Sequence, residues 1–68
     1  MREVPIREDM IRLGQLLKLA GLVGSGAEAK DVRATGEVTV NGEPEARRGR
    51  QLRRGDVVEA AGEQVVVA

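Results

Sequence analysis

The sequence predicts an α+β domain in which a two-helix hairpin packs on a small, mostly antiparallel sheet. Three observations predict it. Leu13, Leu16, Leu17 and Ala20 fall at i, i+3, i+4 and i+7, the apolar stripe of an amphipathic helix. Ser25 and Glu28 form the S-x-x-E pattern of a capping box, in which the serine oxygen accepts from the third helical N–H and the glutamate reaches back. Glu37-Val38-Thr39-Val40 then alternates polar and apolar and runs into Asn41-Gly42, the favoured pair of a two-residue type I′ hairpin turn.

Taken in order, Glu3-Val4-Pro5-Ile6 reads as a short strand that Pro5 confines to a sheet edge, and residues 7–10 as a polar connection. The first helix is expected from about Arg12 to Leu22, with Gly21 and Gly24 bracketing its end. The link to Ser25 is short enough to force a compact helical hairpin. At 100° per residue the second helix groups Gly26, Lys30 and Arg33 on one face, Ala29, Val32 and Gly36 on another, and Glu28, Asp31 and Thr35 on a third. Gly36 stands where a left-handed C′ residue ends a helix. After the Asn41-Gly42 turn, Pro44 cannot donate to a ladder, so the returning strand is brief. Residues 45–50, EARRGR, read as a loop. Gln51-Leu52 begins a strand, residues 53–56 make a turn, Val57-Val58-Glu59 is a strand, Gly62 a second turn and residues 64–67 a last strand.

The 68 residues suffice for one domain. There is no Phe, Tyr, Trp, Cys or His. The core must therefore be aliphatic, and neither disulfides nor thiolate or imidazole metal sites are available. General acid–base catalysis generally draws on His or on a carboxylate in a dry pocket. The carboxylates here sit in polar segments, the single serine is explained by its cap, and no phosphate-binding glycine loop is present. A non-enzymatic chain with no cofactor is expected. No apolar run reaches the ~20 residues of a membrane span, and the charged first residues do not suit a signal peptide. The expected compartment is the cytoplasm and the expected state a monomer.

A net charge of zero hides an uneven distribution. Residues 1–45 carry six basic and eight acidic side chains, residues 46–55 carry Arg47, Arg48, Arg50, Arg53 and Arg54 with no acid, and residues 56–68 carry three acids. Local field, not total charge, attracts a polyanion, and Arg matches phosphate bidentately. The competing reading of this block is a solvated basic loop. Arg54-Gly55-Asp56 also spells a tripeptide that some integrins recognise, but a Gly-Asp turn between strands accounts for it.

RLGQLLKLAGL, SGAEAK, GEVTVNG and RRGDVV, between them spanning Arg12 to Val58, resemble the S-four RNA-binding domain, the αL motif of ribosomal protein S-four. LGQLLKLAG, SGAEAK and NGEPEARRGR are most similar to its small stand-alone members, the YaaA-like and YbcJ-like proteins. The resemblance implies RNA binding across both helices and the adjoining loop, with the ribosome as a candidate partner. Because the chain has no aromatic ring on which splayed bases could stack, structured RNA, of ribosomal or transfer RNA type, is the expected form. The family's first helix begins Arg-Leu-Asp and its second Ser-Arg. Here Arg12, Leu13 and Ser25 stand, whereas Gly14 and Gly26 replace the acid and the arginine. The expected RNA contacts are Arg12, Lys18, Ser25, Lys30, Arg33, Arg47, Arg48, Arg50, Arg53 and Arg54. Ser25 and the Gly26 amide would offer a helix N-terminus to a phosphate. The alternative is a protein-interaction or structural module that keeps the fold without RNA.

Overall fold

The computed structural model describes residues 1–24 and 37–68. Its elements in chain order are β1 (Arg2–Val4), β2 (Ile11–Arg12), α1 (Leu13–Leu19), β3 (Thr39–Val40), β4 (Glu43–Pro44), β5 (Gln51–Leu52), β6 (Val57–Ala60) and β7 (Glu63–Val67). Five strands form a mixed sheet in the order β1-β7-β6-β3-β4, and β2 and β5 form a separate two-stranded ladder.

The apolar stripe of α1 behaves as its spacing dictates: Leu13, Leu16, Leu17 and Ala20 are all buried. They pack with Val38, Val40, Leu52, Val58, Val65 and Val67 in one aliphatic core. The helix is shorter than its periodicity suggests. Gly21 adopts φ 71°, its N–H donates to the Lys18 carbonyl at 3.1 Å, and the Leu22 N–H donates to the Leu17 carbonyl at 2.9 Å. This is a Schellman motif. It turns the chain at Ala20 and leaves Leu22 buried as the apolar residue that closes the motif.

The two hairpin turns share one geometry. Asn41 and Gly42 have φ 52° and 86°, and Ala61 and Gly62 have φ 53° and 77°. Positive φ at both central positions is the type I′ turn, whose twist matches that of the flanking strands. Pro44 closes a β4 of only two residues, opposite Thr39.

The expected two-helix hairpin on a small, mostly antiparallel sheet is corrected here, although the general α+β character stands. The described residues hold one seven-residue helix and a predominantly strand architecture. β1 runs parallel to β7, with Arg2, Glu3 and Val4 opposite Val65, Val66 and Val67, so the larger sheet is mixed. Arg12, read as the first helical residue, instead belongs to β2 and pairs with Gln51 of β5. The physical reason is non-local: each of these segments satisfies its backbone groups against a partner far away in sequence. The second helix expected from Ser25 lies outside the described residues.

Candidate nucleic-acid interface

The chain leaves β4 with the Glu45 N–H still donating to the Val38 carbonyl at 3.0 Å, and it turns back where the Arg50 N–H donates to the Arg47 carbonyl at 3.2 Å. It then docks on the start of α1. The Leu13 N–H donates to the Arg50 carbonyl and the Gly14 N–H to the Arg48 carbonyl, both at 2.9 Å. First-turn helix amides have no intrahelical partner, so the loop's carbonyls satisfy α1 while α1 fixes the loop. These two amides are thereby committed to backbone. β2–β5 pairing continues the attachment, with Arg12 opposite Gln51. Gln15 Oε1 accepts from the Arg12 N–H at 3.3 Å.

Glu45 organises the side chains of this loop. It is the single buried charged residue among those described. The Arg47 guanidinium donates to it through Nε and Nη2, at 3.1 Å to Oε2 and 3.0 Å to Oε1, and the Arg47 backbone N–H adds a contact of 3.3 Å. Arg50 Nη1 donates to Oε1 at 2.9 Å. The bonds from Arg47, then those from Arg50, lower the Glu45 carboxyl from 4.5 to about 2, and the same carboxylate raises Arg47 above its ordinary value. The Glu45 side chain is 9% exposed, Arg50 35% and Arg47 74%. The acid is therefore enclosed while Arg47 faces solvent.

The sequence count of an arginine block without a compensating acid is corrected by this geometry: Glu45, one residue outside the block, serves two of its arginines. An E-x-R-x-x-R spacing in residues 45–50 was the available signal, and only the folded turn brings its three charges together.

The predicted RNA contacts fall into groups. Arg12, Arg47, Arg48 and Arg50 belong to the two segments whose backbones join where the loop meets the start of α1. Arg48 is exposed, and its side chain has no hydrogen bond or ion pair to another described residue. Lys18 is exposed in the last turn of α1, about 9 Å further along at 1.5 Å per residue. Arg53 and Arg54 lie beyond β5 in a turn where Gly55 takes φ 97° and the Asp56 N–H donates to the Arg53 carbonyl at 3.0 Å. Asp56 Oδ2 accepts from the Arg53 N–H at 2.8 Å and Asp56 Oδ1 from Asn41 Nδ2 at 3.1 Å, which ties this turn to the β3–β4 turn. Arg54 is engaged within the fold: Nη2 donates to the Ile6 carbonyl at 2.9 Å and Nη1 lies 3.5 Å from Asp9. It fastens the segment after β1 to the β5–β6 turn. Ser25, Lys30 and Arg33 lie outside the described residues. Glu59 and Glu63 stand at the opposite end of β6 from Arg53, beside the Ala61-Gly62 turn, where Arg2 Nη1 lies 3.8 Å from Glu63.

Among the described residues no group of three or more acidic, His or Cys side chains could hold a metal ion, and no helix is long and apolar enough to cross a membrane.

Comparison with known proteins places this geometry in a family. The chain is 52% identical over 59 residues to the probable ribosome maturation protein RlbA of Bacillus subtilis, covering 87% of this chain and 83% of that protein. The solution structure of YbcJ from E. coli, described as revealing an αL motif involved in RNA binding, matches with a TM-score of 0.75 and 36% identity over 100% of this chain and 87% of that one. The 30S ribosomal protein S4e of Thermoplasma acidophilum matches in fold, with a TM-score of 0.63 and 24% identity over 85% of this chain and 31% of that one. The S4 domain model matches residues 4–68, and the chain belongs to the S4 domain family.

Proposed function

We propose that residues 1–68 form a single, non-catalytic, monomeric RNA-binding module that recognises structured RNA in the cytoplasm, with the ribosome or its precursor RNA as the target. The observation that carries this reading is the arginine loop fixed on the start of α1. Its backbone is held at two helix amides, and two of its guanidiniums, those of Arg47 and Arg50, bond to one enclosed carboxylate. Phosphate contacts position a protein on nucleic acid, and guanidiniums on a fixed frame suit phosphates at fixed spacing. The names of the relatives support the same reading, since one is a probable ribosome maturation protein and another carries a motif described as RNA-binding.

Arg48, Arg47, Arg50 and Arg12 form the principal contact group in this proposal, flanked by Arg53 and Lys18. Arg54 contributes less because its donors are engaged within the fold. Ser25, Lys30 and Arg33 extend the surface on the sequence argument alone. With no aromatic residue in the chain, splayed bases have no ring on which to stack, which is how single strands are generally read. The expected preference is therefore for a helix or helix junction, with weak dependence on base identity.

A hairpin RNA and a scrambled single strand of equal length, competed at fixed salt, test this. Preferential retention of the hairpin is expected. Equal or tighter binding of the single strand would reduce the site to general polyanion affinity. No salt-dependent binding of either would favour a protein-interaction module, a reading to which the zero net charge and the sharing of the Glu45 carboxylate by Arg47 and Arg50 lend support.

A further inference from the structure

Glu45 stands against the purpose of a basic loop: a carboxylate under a phosphate-binding surface lowers its potential. A solvated loop has no use for an enclosed acid, yet this one receives four hydrogen bonds, from two guanidiniums and a backbone amide. The bonding pattern is selective. Arg47 presents one edge of its guanidinium, Nε and Nη2, to Glu45. Of the five N–H donors that the group carries, the remaining three lie on its outer edges. Arg50 gives Glu45 Nη1 alone, so among the described residues its Nε and Nη2 side-chain donors make no further hydrogen bond. A phosphate approaching from solvent therefore meets guanidiniums whose planes are already set.

We propose, on the basis of the RNA-binding reading above, that Glu45 is a positioning residue of the phosphate site, which holds Arg47 and Arg50 in the orientation that RNA phosphates require. Arginine side chains are rich in rotamers, and immobilising such a side chain on binding opposes affinity by about two- to tenfold. Glu45 removes that penalty in advance for Arg47 and Arg50. The enclosed carboxylate is the cause of the order and not an RNA contact itself.

The sign of one substitution separates this from simple electrostatics. Glu45→Gln keeps the shape and removes a negative charge. If only local potential mattered, it would tighten RNA binding; if Glu45 positions the arginines, it weakens binding, by about fivefold for each side chain that must be newly ordered. The probe is a fluorescently labelled hairpin RNA titrated at fixed salt, with melting curves confirming that each variant is folded. Arg47→Lys is the second variant: it preserves charge, cannot span Glu45 bidentately, and is expected to lose affinity to a similar extent. The double variant is expected to lose less than the two single losses combined, because each breaks the same contact. In nitrogen-15 spectra the Arg47 Nε–H signal is expected to be sharp in the wild type and broadened in Glu45→Gln. Tighter or unchanged binding by Glu45→Gln, or wild-type affinity of Arg47→Lys, overturns the proposal. Arg48→Ala, which leaves the Glu45 contacts intact, serves as the control. If it too leaves binding unchanged, the loop is not the RNA site and the broader reading fails with the proposal. If it weakens binding while Glu45→Gln does not, only the positioning role is lost.

Discussion

Arg48 and Arg54 lie six positions apart in the same basic block, and the structure assigns them different fates. Arg48 is exposed with its carbonyl fixed by Gly14, and its guanidinium makes no hydrogen bond or ion pair to a described residue. Arg54 spends its donors on the Ile6 carbonyl and Asp9. Each phosphate neutralised by a protein cation adds about 0.7 to 0.9 to the slope of log affinity against log salt. Arg48→Ala is therefore expected to flatten that slope by roughly 0.8. Over a tenfold fall in salt concentration this widens the gap between wild type and variant by roughly sixfold. Arg54→Ala is expected to change the slope by less than half as much and instead to lower the melting temperature, because the segment after β1 loses its fastening to the β5–β6 turn. The assay is fluorescence anisotropy with a hairpin RNA at several salt concentrations, paired with thermal melts. Equal slope changes in the two variants, or a larger one for Arg54→Ala, would refute the assignment of Arg48 to phosphate and Arg54 to the fold.

Three stability predictions follow from backbone and charge. Ala61 takes φ 53° at the first central position of a type I′ turn, where a side chain without a local hydrogen bond costs about 1 kcal/mol or more; Ala61→Asn is expected to raise the melting temperature by roughly 4–8 °C, and a lower value would contradict the turn. Gly21 at φ 71° ends α1, so Gly21→Ala is expected to destabilise by about 1 kcal/mol, read as a lower urea midpoint at unchanged m; a neutral result would argue against the left-handed cap. The Glu45 carboxyl is lowered from 4.5 to about 2, so it binds protons more readily in the unfolded chain, and its contribution is complete above about pH 4.5 and lost as the pH falls through about 2. The stability difference between wild type and Glu45→Gln is expected to be flat above that window and to shrink within it, and a difference that persists undiminished at pH 2 would contradict the clamp.

Legibility in the sequence followed the range of the interaction. The α1 stripe and the Asn41-Gly42 turn were readable because spacing and one dipeptide suffice to specify them. The end of α1 was overestimated, since Leu22 continues the apolar pattern yet belongs to the Schellman motif that Gly21 begins. β2 was missed because Ile11–Arg12 finds its partner only at Gln51–Leu52, and the parallel β1–β7 pair joins opposite ends of the chain. The left-handed Ala61 carries no local signal at all. At the candidate site, the arginine density was plain, but which arginines are engaged was not. Glu45 and Arg47 are near neighbours in sequence, whereas Arg54 reaches the Ile6 carbonyl, a contact that only the assembled sheet creates.

The most direct test of the RNA-binding surface is residue-level mapping by nuclear magnetic resonance as unlabelled hairpin RNA is added to the nitrogen-15-labelled protein. Amide shifts are expected to concentrate at Arg12, Arg47, Arg48, Arg50 and Arg53, with the β6–β7 turn around Ala61 and Gly62 unchanged. Shifts centred on that acidic turn, or spread evenly over the molecule with the arginine loop no more affected than the rest, would contradict it.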